Sequence, residues 1–240
     1  LARLLALSPA LLGGGLALAA PVMNNGTGTN SLTISPNTIH QAQANGRNDI
    51  AIGNYSEADS GTNSPYSAIA IGEKSKSLSK ETIALGHMAQ ANESQGIAIG
   101  AVVITQGDQS TALGNNVVAQ GNSSVAIGGD DLDTVSKSGA GAALNTSTTA
   151  TTYKDLTGDI LVGSGVQQYR PTTTGEAAVA VGVQAQATGE LSTAFGTKTT
   201  ASGLAATALG VGANASQNNA VALGSGSTTA TNATIVNDAE

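Results

Sequence analysis

The sequence predicts an all-β fold, a parallel β-roll solenoid built from 14-residue coils. Three observations lead there. First, a four-residue signature recurs ten times: an apolar or β-branched residue, Ala, then Ile, Leu, Val or Phe, then Gly. Its glycines are Gly53, Gly72, Gly86, Gly100, Gly114, Gly128, Gly182, Gly196, Gly210 and Gly224. Second, seven of the nine intervals are 14 residues, and the others, 19 and 54, are that period plus insertions. Third, 31 Gly, one Phe, four Tyr and no Trp in 240 residues leave no material for a bulky globular core.

Taken in order, residues 1–20 are apolar and Leu/Ala-rich, with Arg3 their only charge, and end in small residues before Pro21. This reads as an export signal, because Ser8-Pro9 and Gly13-Gly14-Gly15 interrupt it too often for a membrane anchor. Residues 21–38 read as an N-terminal extension, and 39–128 as the first block of coils. An insertion at 129–171, a second block at 172–228 and the start of a linker at 229–240 complete the expected order.

Within each coil, alternation at period two marks a strand with two distinct faces. One face carries pairs such as Ile97/Ile99, Val125/Ile127 and Thr193/Phe195, and the other a lone Ala. A second strand carries small residues three and five positions after the signature Gly, such as Ala89 and Ala91. The signature Gly and a second Gly seven residues on, such as Gly107 and Gly121, are read as the two chain reversals, at positive φ. A thin core holding two medium aliphatics per coil is expected. That burial barely offsets the ordering of so many backbones, which points to an obligate homo-oligomer. The Ala-bearing face is flat enough to pack against identical rolls, although the pattern leaves open which face does so.

The insertions hold the residues that stand out chemically. Tyr55 and Tyr66 fall in the shorter one, 54–66, and Tyr153 and Tyr169 in the longer. They are either ligand-contacting protrusions, since Tyr offers a rigid apolar body with a polar tip, or side chains too large for the roll that pack back onto it. With Tyr55, Tyr66, Tyr153 and Tyr169, the coil residues Val125, Ile127, Asn219, Val221 and Leu223 complete the candidate ligand-binding set. Asp130, Asp131 and Asp133 form a hard-oxygen cluster but lack the rest of a calcium loop, so a solvated turn is the reading. The stretch 140–152 is low-complexity Ala/Ser/Thr and is expected to be mobile.

Function classes narrow quickly. A net charge of −7 without a Lys/Arg cluster argues against nucleic-acid binding. With no cysteine, disulfides and thiolate metal sites are excluded. Of the two histidines, His87 follows a signature Gly directly and has no recurring carboxylate partner, so neither catalysis nor a cofactor or metal is expected. A β-helix acyltransferase-like enzyme is therefore the weaker alternative. A structural or ice- and lattice-binding solenoid is another, but threonines do not repeat as Thr-x-Thr on each coil.

The coils resemble the head repeats of YadA-like trimeric autotransporter adhesins. Asn219-Ala220-Val221-Ala222-Leu223-Gly224-Ser225-Gly226-Ser227 is similar to that family's repeat nearly throughout, as is Asn48-Asp49-Ile50-Ala51-Ile52-Gly53-Asn54-Tyr55-Ser56. Ser67-Ala68-Ile69-Ala70-Ile71-Gly72-Glu73-Lys74-Ser75 repeats it, whereas Ser123-Ser124-Val125-Ala126-Ile127-Gly128 departs afterwards. The resemblance implies a left-handed roll, a homotrimeric head, export to the bacterial cell surface, and an outer-membrane anchor beyond this stretch of chain. It also implies attachment to host matrix proteins of the collagen, fibronectin or laminin class, or to host-cell receptors, with autoaggregation as a further role. Removal of 129–170 is expected to leave fold and trimer intact.

Overall fold

The computed structural model describes residues 22–36, 39–61 and 65–229. The candidate export signal and nearly all of the 229–240 linker lie outside the described residues. The architecture is the expected parallel β-solenoid with a spacing of about 14 residues. One flank is a 12-stranded sheet running from Val22–Asn25 to Val221–Leu223, which contains every signature strand. The other is a 10-stranded return sheet running from Gln43–Ala44 to Asn214–Ala215.

Register is set by the signature. Ile97 pairs with Thr111, Ala98 with Ala112 and Gly100 with Gly114, so like stacks on like. Across the long insertion, Val125 still pairs with Val179 and Gly128 with Gly182, and the ladder runs on unbroken. The signature sheet also extends into the segment read as an N-terminal extension. Leu32–Ser35 adds a parallel strand beside Ile50–Ile52, and Val22–Asn25 closes that end antiparallel.

The core corrects the expectation for the two faces. The alanines point inward: Ala84, Ala98, Ala112 and Ala126 are wholly buried against Ala89, Ala91, Val103, Val117 and Ala119. The aliphatic pairs point outward, so the Ala face is not a docking surface. The physical reason is the tight reversal at each end of a coil, which holds the two sheets close. Val103 and Val117 are the largest fully buried apolar side chains, and Ile or Leu does not fit. Small hydroxyls fill the remaining space, and several are satisfied locally, as where Ser110 Oγ donates to the Gly107 carbonyl at 2.7 Å and Ser124 Oγ to that of Gly121 at 2.7 Å.

The reversals also differ from expectation. Gly100 does take φ +130°, and a Cβ there would overlap the carbonyl of Gly114 in the next coil. At the second reversal, positive φ falls on Gln109 (+56°) and Ser123 (+54°) rather than on Gly107 or Gly121. Those glycines serve close approach instead, because a Cβ on Gly107 would overlap the Gly121 carbonyl. Every regular coil also places the residue two after the signature Gly near φ +55°, including Tyr55, Lys74, Met88 and Val102.

The long insertion is folded. Helix α1 spans Asp133–Ser136 and helix α2 spans Thr148–Thr157, so α2 begins within the low-complexity stretch. Ser147 caps α2 by accepting from the Ala150 amide at 3.0 Å, and Gly158 ends it at φ +77°. Leu132, Ala150, Tyr153, Leu161 and Val162 form its small core.

Candidate functional site

The roll presents two outward faces of opposite character. Along the signature sheet run Ile50/Ile52, Ile69/Ile71, Ile83/Leu85, Ile97/Ile99, Val125/Ile127, Val179/Val181 and Val221/Leu223, all at least partly exposed. Leu113, Phe195 and Leu209 continue the stripe, and Val221 and Leu223 are 65% and 68% exposed. Thr111, Thr193 and Thr207 are the polar members of this face, and a single soluble chain rarely leaves an apolar stripe of this extent to water. The return sheet is more polar, with Gln43, Glu57, Lys76, Gln90, Thr200 and Asn214 outward, and Lys76 Nζ is 3.2 Å from a Glu57 carboxylate oxygen.

The candidate residues separate onto these faces. Val125, Ile127, Val221 and Leu223 belong to the apolar stripe, while Asn219 sits on an exposed second reversal at φ +56°. Tyr55 lies on a regular coil position, the αL residue after Gly53, which corrects its placement outside the coils. The extra residues of the shorter insertion therefore come after Glu57–Ala58. The Tyr55 ring lies 4.6 Å from that of His40, beside Lys74, Met88 and Gln90 in a shallow hollow. Tyr66 is exposed, with Lys80 Nζ 6.0 Å from its ring centre.

In the long insertion the two tyrosines do different jobs. Tyr153 is 5% exposed and anchors α2, which is the packing role rather than that of a protruding contact. Tyr169 is exposed, and its hydroxyl donates to Asp133 Oδ2 at 2.8 Å, a bond that lifts the phenol above its ordinary pKa. The acidic cluster is engaged within the protein. Asp130 accepts from Asn116 Nδ2 at 2.8 Å, Asp131 from the Asp133 amide at 2.6 Å, and Asp133 also from Gln168 Nε2 at 2.8 Å.

The insertion docks on the late coils through contacts that sequence reasoning missed. Lys198 Nζ donates to the Ile160 carbonyl at 2.7 Å and lies 5.1 Å from the Tyr153 ring centre. Gln184 Nε2 donates to the carbonyls of Asp130 (2.7 Å) and Gln168 (2.8 Å), and Gln186 Nε2 to that of Pro171. A signal did exist. Two positions after the signature Gly, most coils carry a side chain, but the last two carry Gly212 and Gly226. A Cβ on Gly212 would meet Thr157 Cγ2 at 2.7 Å, and one on Gly226 the Leu156 carbonyl at 2.6 Å. Those glycines make room for α2.

The model of the YadA head domain repeat matches residues 40–59, 79–101, 106–130, 174–199 and 201–227, about half of the chain. The chain belongs to the YadA head family. Comparison with curated proteins gives no match. The YadA head family is one of structural adhesins. The matched segments lie on the coils, and the docked insertion falls between two of them, 106–130 and 174–199.

Proposed function

We propose that this YadA head is the binding region of a trimeric autotransporter adhesin, displayed on a bacterial surface and attaching to host matrix proteins or host-cell receptors. Three copies pack through the apolar face of the signature sheet, leaving the return sheet, the αL edge and the insertion outward. The observation that carries this reading is the outward row of aliphatics along an unbroken ladder of head-repeat coils. Identical chains in register supply an identical apolar row, and closed symmetry satisfies all of them at once. Attachment is multivalent: modest sites repeat along a rod and across chains, so avidity exceeds single-site affinity.

The test is solid-phase binding of the purified chain to collagen, fibronectin, laminin and cultured cells, with its mass in solution measured in parallel. Saturable binding by a trimer supports the proposal. A chain that stays monomeric, or a trimer that binds neither matrix nor cells, overturns it.

A further inference from the structure

Between the insertion and the late coils lies a pocket of about 410 Å³, within the range of small-ligand sites. Its walls include Asp159, Ser164 and Arg170 from the insertion, and Lys198, Thr200 and Asn214 from the roll. Lys198 is held in place by its αL turn (φ +54°) and by donation to the Ile160 carbonyl. Arg170, half-buried, ends the insertion one residue before Pro171, and its guanidinium makes no hydrogen bond or ion pair among the described residues.

Such an arrangement needs a reason. Two of the chain's nine basic side chains converge on one hollow. Among the described residues, the ion pairs are Lys74 with Glu73 and Lys76 with Glu57, both far along the chain from this pocket. Burial pulls both cations below their ordinary pKa; at Lys198 the nearby Asp159 opposes this and Arg170 adds to it. A partly desolvated guanidinium with its planar fork of donors unused is matched to a carboxylate or sulfate. Asp159 adds a constraint. As a carboxylate it can only accept hydrogen bonds, so a bare inorganic anion would be repelled there, whereas a ligand that also carries hydroxyls would donate to it. Ser164, Thr200 and Asn214 supply further donors and acceptors of that kind.

We propose that this pocket binds an acidic sugar, with Arg170 and Lys198 on its anionic group and Asp159, Ser164, Thr200 and Asn214 on its hydroxyls. The ligand class rests on the adhesin reading for its biological setting. Sugar binding by the chain in solution and attachment to matrix or cells are separate readouts, so one can fail without the other.

The experiment is calorimetric titration of the purified chain with glucuronate, glucose sulfate and glucose, which share a ring and differ in charge. Binding of either acidic sugar, with none of glucose at the same concentration, is the expected result. Preference for glucuronate or for glucose sulfate then identifies the anionic group. Arg170→Gln and Lys198→Gln should each weaken that binding about tenfold, with circular dichroism unchanged. Failure of both acidic sugars to bind at millimolar concentration, equal binding of glucose, or unaltered affinity in two folded variants overturns the proposal. If a variant does not fold, the charged-against-neutral comparison on the unmodified chain decides.

Discussion

Val102 shows how little local preference counts against a ladder of identical turns. It holds φ +56°, a conformation that a β-branched residue strongly disfavours, because the coils on either side fix the turn. Asn116 occupies the same place one coil later at φ +52°. Val102→Asn is therefore expected to raise stability by about 1 kcal/mol, read from a denaturant melt. Asp49 is the opposite case, a buried charge that holds its surroundings. Its carboxylate accepts from the amides of Gly46 (2.7 Å), Ser60 (3.0 Å) and Ala68 (2.8 Å), closing the coil around the shorter insertion. Asp49→Ala leaves three buried donors without this acceptor and should cost about 3 kcal/mol in the same assay. In the sequence this residue read only as one letter of a repeat. Its role depends on where Ser60 and Ala68 come to lie.

At the scale of elements, α2 forms against its composition. Thr is a poor helix former, and five of the ten residues in Thr148–Thr157 are Thr. Packing outweighs propensity, since Ala150 and Tyr153 lie against Leu132, Leu161 and Val162, and the cap at Ser147 starts the helix. The docking depends on the bare backbone at Gly212. Gly212→Asn keeps a residue that tolerates the left-handed turn but drives its side chain into Thr157. Faster cleavage within 138–147 under limited proteolysis, with the roll itself intact, is the expected outcome. Equal protection would show that α2 does not need that contact. The ladder runs on across the insertion, however. Asp130 and Thr172 flank it, and Thr172 already pairs with Val117 in the coil before. Joining Asp130 directly to Thr172 should preserve the β-sheet signal and the solution mass, and loss of either would show that the roll needs the insertion.

For the whole molecule, the decisive quantity is the apolar face that one chain cannot cover alone. A charge placed in the middle of it meets its own copies across the proposed three-fold contact, where like charges would lie desolvated. Ile99→Asp combined with Ile127→Asp should therefore shift the sedimentation of the chain from trimer to smaller species. A double variant that sediments like the parent would remove this face from the interface. An equivalent pair on the return sheet, Gln90→Asp with Thr200→Asp, is expected to leave the mass unchanged.

The repeat period by itself determined the solenoid, its two strands per coil and its register. Each of those follows from residues close in the chain that recur at a fixed spacing. Only the tertiary structure decided which side of each strand is inside, because that depends on the gap between the sheets. Alternation says that Ala98 and Ile99 face opposite ways, but not that the tight turns leave room for alanine and none for isoleucine. Tertiary structure alone likewise brought Arg170 and Lys198 to one pocket and buried Tyr153 while leaving Tyr169 exposed. Those placements arise where a non-repeating segment folds back on distant coils, and no periodicity records such contacts.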